Sequence, residues 1–308
     1  MKRPNFFIAG APKCGTTALC EYLRHHPAVF FSDPKEPHYF AEDFDAHRMV
    51  RDLASYEALF ADANAEHQRV GEGSVLYLYS AVAFERIRAF NPEARIIVML
   101  RNPMEMIPSQ HQQYLGSLYE DEPSLEQAWA LQDERAAGRY IPRLCRQPEL
   151  LAYKKIGRFG EQLERLWQIF PREQTMVIVF DDFVADTRKV YLQVLAFLGL
   201  EDDGRTDFPR INEASGLRGG LPSWIARHTP VSLRNLLTHL RFTRSGRGIP
   251  KLADRLFKRS QPRQRISPAF HAELKAAFAD DISHLSALIG RDLSAWMRIE
   301  SDGENGPS

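Results

Sequence analysis

The chain has 308 residues, 44% hydrophobic and 26% charged, and its 40 Lys plus Arg cancel its 40 Asp plus Glu. That length and composition suit a soluble globular protein of one large domain, or at most two, and zero net charge excludes a global field favouring nucleic acid or a membrane. No apolar run approaches the ~20 residues of a membrane span, and three cysteines, Cys14, Cys20 and Cys145, fit a reducing compartment and no zinc-site spacing.

Met1-Lys2-Arg3-Pro4 leads straight into the first strand with no room for a signal peptide, so a cytoplasmic location is expected. Phe6-Phe7-Ile8-Ala9 has the length and bulk of a buried strand. The glycine-bounded loop Gly10-Ala11-Pro12-Lys13-Cys14-Gly15-Thr16-Thr17 follows, and Ala18, Leu19, Tyr22 and Leu23 then fall on one face of a helix. Strand, glycine loop and helix together gather backbone N–H groups at a helix N-terminus, where the helix dipole helps them hold an anion. Gly10 and Gly15 permit close approach, Lys13 adds a full charge, and Thr16 and Thr17 add hydroxyls. The pattern is a phosphate-type cradle.

Gly10 and Gly15 fit the first half of a nucleotide-triphosphate P-loop, but Thr16 stands where that motif has its lysine. The missing lysine is the one that meets the β- and γ-phosphates of a magnesium nucleotide, so a different ligand is expected. Further on, Pro34 and Pro37 keep Pro34-Lys35-Glu36-Pro37-His38-Tyr39-Phe40 extended or turning. Residues 41–69 are polar and broken, with a helical patch from Leu53 to Phe60. Gly71-Glu72-Gly73-Ser74 leads into the apolar run Val75–Tyr79, then a helix near Ala81 to Phe90 that Asn91-Pro92 stops.

Arg95 to Leu100 is a near-continuous apolar run, the signature of a central parallel strand, and it delivers Arg101-Asn102-Pro103 at its C-terminal end. A helix through Ser109 to Leu118 follows. Residues 120–150 read as charged and mostly helical, and Gly157 to Phe170 as an amphipathic helix ended by Pro171. Thr175 to Phe180 is another buried strand with Asp181-Asp182 after it, and Arg188 to Leu198 a helix closed by Gly199. Strands alternating with helices predict an α/β fold with a central, mainly parallel sheet, whose ligands sit at the carboxyl ends of the strands. Lys13, Arg101 and Asp181 all follow apolar strands and are expected to face one crevice. Val177 to Asp181 also reads as the magnesium strand of a P-loop kinase or NTPase, which stays open as an enzyme alternative; a cradle without chemistry is the non-enzyme one.

Arg227 to Arg265 holds eleven Lys or Arg against one acid, Asp254, with Leu233, Leu236, Leu237 and Leu240 on one helical face. This is read as a basic helical insert at about 221–265 within a single domain spanning 1–299. The last helices run from Ser267-Pro268 to Trp296, and 300–308 has the composition of a disordered tail.

Strand–PKCGTT–helix, then KEPHYF about twenty residues on, then RIIVMLRNP with Ser109 eight after Arg101, resembles the sulfotransferase family, in particular its bacterial and heparan-type branch. The resemblance implies a P-loop-containing nucleotide-hydrolase-like fold and the donor 3′-phosphoadenosine 5′-phosphosulfate (PAPS), with adenosine 3′,5′-bisphosphate as product and no metal. Lys13, Cys14, Gly15, Thr16 and Thr17 match the family's 5′-phosphosulfate loop, and Arg101 and Ser109 its 3′-phosphate contacts. Glu36 aligns with the branch's general base. His38 could support the acceptor, replace Glu36 as base, or simply pack; Lys35 could meet sulfuryl oxygens or pair with Glu36.

The chain departs from the family pattern at two points. Gly73-Ser74-Val75 lacks the lysine that many heparan-type members carry after their Gly-Glu pair, and no cysteine follows Cys145. The acceptor is left as a small molecule, lipid or carbohydrate, with neither O- nor N-transfer nor an oligomeric state readable. Cys14, at a helix start, is expected to be a packing residue, with thiolate character as a side possibility.

Overall fold

In the computed structural model, residues 2–211 and 266–298 are described throughout, and Ser215–Leu217 and Lys258–Ser260 as an antiparallel backbone pair. The strands of the main sheet are β1 (Phe6–Gly10), β2 (Val29–Phe31), β3 (Arg69–Gly73), β4 (Arg95–Leu100) and β5 (Thr175–Val179). They lie in the order β2-β3-β1-β4-β5, and every neighbouring pair is parallel. Every residue of β1 is buried, and so is all of β4 after Arg95. Both therefore read in sequence as unbroken apolar runs.

Helices cover the sheet: α1 (Thr16–Arg24), α2 (Leu53–Ala58), α3 (Ala83–Phe90), α4 (Pro103–Ser117), α5 (Leu125–Ala130), α6 (Gln132–Ala136) and α7 (Tyr153–Ile156) come first. They are followed by α8 (Phe159–Ile169), α9 (Phe180–Ala185), α10 (Thr187–Leu198) and α11 (Pro268–Ile289). Local chemistry sets the ends. The Asn102 side chain accepts from Met104 N to start α4, Asp186 accepts from Lys189 N to start α10, and Ser267 accepts from Phe270 N to start α11. Asp281 of α11 accepts from Gly160 N and Glu161 N at 2.9 and 3.1 Å, so one helix caps the start of α8 from its side.

Two expectations shift, and one strand escapes the sequence reading. That strand is the glycine-rich Arg69–Gly73, between β2 and β1, and the apolar run 75–79 after it forms turns. The reason is space: a Cβ on Gly71 would stand 2.1 Å from the Phe6 ring, so only glycine lets β3 lie against it. Residues 120–150 hold only α5, α6 and the start of a short 3-10 turn at Pro148–Leu151, because Gly138 and Tyr140 take positive φ (82° and 52°) and end the helix there. β5 stops at Val179, and Phe180 already opens α9. The basic stretch 227–265 lies outside the described residues apart from the backbone of 258–260, as does the tail 300–308.

Candidate functional site

β1 ends in Gly10, and the loop after it turns sharply: Lys13 and Gly15 both adopt left-handed φ, 62° and 86°. Gly15 is the N-cap of α1 and offers no side chain, so the amides opening that helix remain available to a ligand. A Cβ on Gly15 would meet the Phe180 ring at 3.0 Å, which requires glycine for the close approach as well as for φ. Thr16 is buried and Thr17 half-buried beside these amides.

The loop and the end of β4 are joined. Ala11 N donates to Met99 O at 2.7 Å, and the Cys14 thiol receives the backbone N–H of Arg101. Burial lowers the pKa of Lys13, and the nearby positive charge of Arg101 lowers it further. Two cations converging at a helix N-terminus repel one another, and an anion between them relieves that repulsion. Arg101 lies 4.8 Å from the centre of the Phe180 ring and pairs with Glu105 at 2.6 Å. Ser109, half-buried, sits one turn beyond Glu105 on α4, so both occupy the face nearest Arg101.

The Lys35–Phe40 segment crosses the other side of the loop. Glu36 N donates to Gly73 O at 3.0 Å, and the Lys35 ammonium stands 2.5 Å from Glu36 Oε1. His38 Nε2 lies 3.6 Å from Glu36 Oε2. Burial alone would raise the Glu36 carboxyl, but Lys35 and then His38 outweigh it and hold the group well below the usual carboxylate range. The Glu36 charge in turn acts on Lys13. Glu36 and His38 both hold positive φ, 67° and 51°. For residues with a Cβ that costs about 1–3 kcal/mol each and persists only where the surroundings enforce it.

Lys13, the α1 N-terminus, Arg101 and Glu36 thus form one charged cluster at the carboxyl edge of the sheet, with Ser109 flanking it. Cys14 packs as expected: it is fully buried, its thiol donates to Pro12 O at 3.3 Å, and burial pushes that thiol up to about 12, against the thiolate side possibility. One expected placement changes. Asp181 accepts the Trp296 indole N–H at 2.9 Å, so its carboxylate serves the packing of the C-terminal segment. Phe180 and Glu72, both in contact with the cluster's supports, escape a motif reading. The only hint of Phe180 is an aromatic immediately after an apolar strand, and Glu72 has the local signature of a polar residue in a turn.

A family profile described as the sulfotransferase domain matches residues 3–209. Carbohydrate sulfotransferase 15 of Rattus norvegicus is 27% identical over 248 residues, covering 64% of this chain and 44% of that protein. Heparan sulfate glucosamine 3-O-sulfotransferase 6 of Homo sapiens is 29% identical over 200 residues, covering 64% and 53%. The chain spans about half the length of these relatives. A solved sulfotransferase from Alicyclobacillus acidocaldarius superposes with a TM-score of 0.71 at 29% identity, covering 97% of this chain and 100% of that one.

Proposed function

The chain belongs to the sulfotransferase family and is an enzyme of that class, and we propose that it takes its sulfuryl group from PAPS and passes it to a hydroxyl or amine of a small-molecule, lipid or carbohydrate acceptor. The observation that carries this reading is the uncapped α1 N-terminus behind the Lys13 loop, tied to the end of β4 just before Arg101 by the bond from Ala11 N to Met99 O. PAPS, when bound, supplies the sulfuryl group and departs as adenosine 3′,5′-bisphosphate. The residues suit it: an uncapped helix start for the 5′-phosphate, and for the 3′-phosphate an arginine at the end of β4 with a serine on the helix that follows.

In this reading the amides of Gly15, Thr16 and Thr17 hold the non-bridging oxygens of the 5′ group. Lys13 neutralises the charge that develops as the sulfur–oxygen bond to that phosphate breaks. Glu36 takes the acceptor proton as the new bond to sulfur forms in line. Paired with Lys35, Glu36 is a weak base; a sulfuryl oxygen that draws the ammonium away strengthens it at the moment of transfer. His38 keeps the carboxylate oriented from its other oxygen. Three unpaired cysteines, all buried, support a reducing compartment such as the cytoplasm.

The test is a calorimetric titration with adenosine 3′,5′-bisphosphate and with adenosine 5′-monophosphate, alongside transfer of labelled sulfate from PAPS to a broad acceptor panel. Tighter binding of the bisphosphate, lost in Arg101→Ala, together with transfer to some acceptor, is the expected result. Equal affinity for the two nucleotides would sink the assignment.

A further inference from the structure

We propose that Glu72 is a positioning residue for the catalytic segment: buried beneath Lys35–Phe40, it fixes through Tyr56 and Tyr77 the backbone that aims Glu36 and His38. The proposal rests on the reading of Glu36 as the base.

Glu72 has no solvent exposure and lies in β3 immediately before Gly73, whose carbonyl receives the Glu36 amide. Its Oε2 accepts from the Tyr56 hydroxyl at 2.6 Å and from the Tyr77 hydroxyl at 3.2 Å, and Ser74 follows two residues on. Each of these three groups then reaches the segment above. Ser74 Oγ accepts the His38 amide at 3.0 Å, Tyr77 Oη accepts the Phe40 amide at 3.3 Å, and the Tyr56 ring stacks on Tyr39 with centroids 4.4 Å apart.

One buried carboxyl therefore stands under two supports of a stretch in which Glu36 and His38 both hold left-handed backbone. Such a conformation needs several simultaneous constraints, and here two of them meet at one side chain. A carboxyl placed only for packing would not be expected to take two hydroxyls that both lead to the same six residues. The carboxyl keeps spare capacity as well: its Oε1 and the Nδ1 of His38 are both buried with no hydrogen-bond partner. Burial raises the Glu72 pKa, and the hydrogen bonds from the hydroxyls act against that rise.

The experiment compares Glu72→Leu with Glu72→Gln, since glutamine keeps the shape and one acceptor oxygen. Three quantities are read: amide hydrogen exchange by residue, affinity for adenosine 3′,5′-bisphosphate, and kcat. In Glu72→Leu the His38 and Phe40 amides should exchange at least tenfold faster while β1 and β4 amides are unchanged. Its kcat should fall tenfold or more with bisphosphate affinity within twofold of the parent, and Glu72→Gln should restore both exchange and kcat. Parental exchange at His38 and Phe40 in Glu72→Leu would overturn the proposal, as would equal loss of affinity and turnover, or a Gln variant as impaired as Leu.

Should Glu72→Leu fail to fold, Tyr77→Phe removes one hydroxyl of the hub and keeps the ring; the same acceleration at Phe40 is expected, and its absence overturns the proposal. The exchange readout is independent of the reaction. If Glu36→Gln kept full turnover, the base assignment would fall while exchange at 38 and 40 still decided the role of Glu72.

Discussion

Among the described residues, Glu120 and Glu36 are both carboxylates paired with a cation, and the two pairs are built differently. Glu120 takes both arms of the Arg135 guanidinium at 2.6 and 2.7 Å, the Tyr153 hydroxyl at 2.8 Å, and the amides of Asp121 and Glu122 at 3.0 Å each. The two side chains are 0% and 2% exposed. Glu36 has one lysine at 2.5 Å and a histidine at 3.6 Å, and its side chain is 38% exposed. The first pair has no acceptor capacity to spare, so it fastens the 119–153 region. The second can take one more proton donor from the solvent side. The proposed role of Glu36 as base requires such open acceptor capacity, and the Glu120 pair has none.

The comparison breaks most sharply under substitution. Glu36→Gln should lower kcat by about 10²–10⁴-fold and leave affinity for adenosine 3′,5′-bisphosphate as it was, read by steady-state kinetics and calorimetry. Glu120→Ala should act on stability instead. It strands a buried arginine, so urea unfolding should show a loss of about 3–5 kcal/mol. Burial would raise the Glu120 pKa, but Arg135 and the amides outweigh it and leave it lowered. Its stabilisation is therefore present above the ordinary carboxylate range and lost as pH falls below that range.

The next effect concerns the nucleotide. Arg101→Ala should weaken adenosine 3′,5′-bisphosphate by about 10–150-fold, the equivalent of one to two charge-assisted hydrogen bonds at about 1.5–3 kcal/mol in all, with little change for the 5′-monophosphate. Lys35→Met removes the cation that holds Glu36 low, so the carboxyl should titrate at higher pH. The acid limb of the kcat/KM profile should then move upward, and an unmoved limb would mean that Glu36 is not the titrating base. The smallest effect is expected from Glu105→Gln. By freeing Arg101 from its ion pair it should tighten bisphosphate binding about two- to fivefold, as expected for a partly exposed pair.

Much of the donor side was legible in the sequence. β1, β4 and β5 are buried or sheltered parallel strands, so they appear as apolar runs, and the residues at their carboxyl ends could be placed on one edge. β3 was not legible, because Gly71 and Gly73 are there to admit Phe6, Cys20 and Phe31 and give the strand the character of a turn. The left-handed backbone at Glu36 and His38 has no sequence signature either, since neither residue is glycine. Glu120 and Arg135 are fifteen positions apart in a charged stretch, and nothing local marks them as a buried pair. Cys14 was legible as a packing residue, and its side chain turns into the core.

The most direct test of the account is a crystal structure with adenosine 3′,5′-bisphosphate bound. It should place the 5′-phosphate against the amides of Gly15, Thr16 and Thr17 and the Lys13 ammonium, the 3′-phosphate against Arg101 and Ser109, and the Glu36 carboxylate beside the 5′ end. A nucleotide whose 3′-phosphate lies away from Arg101, or whose 5′ end lies out of reach of Lys13 and Glu36, would contradict it.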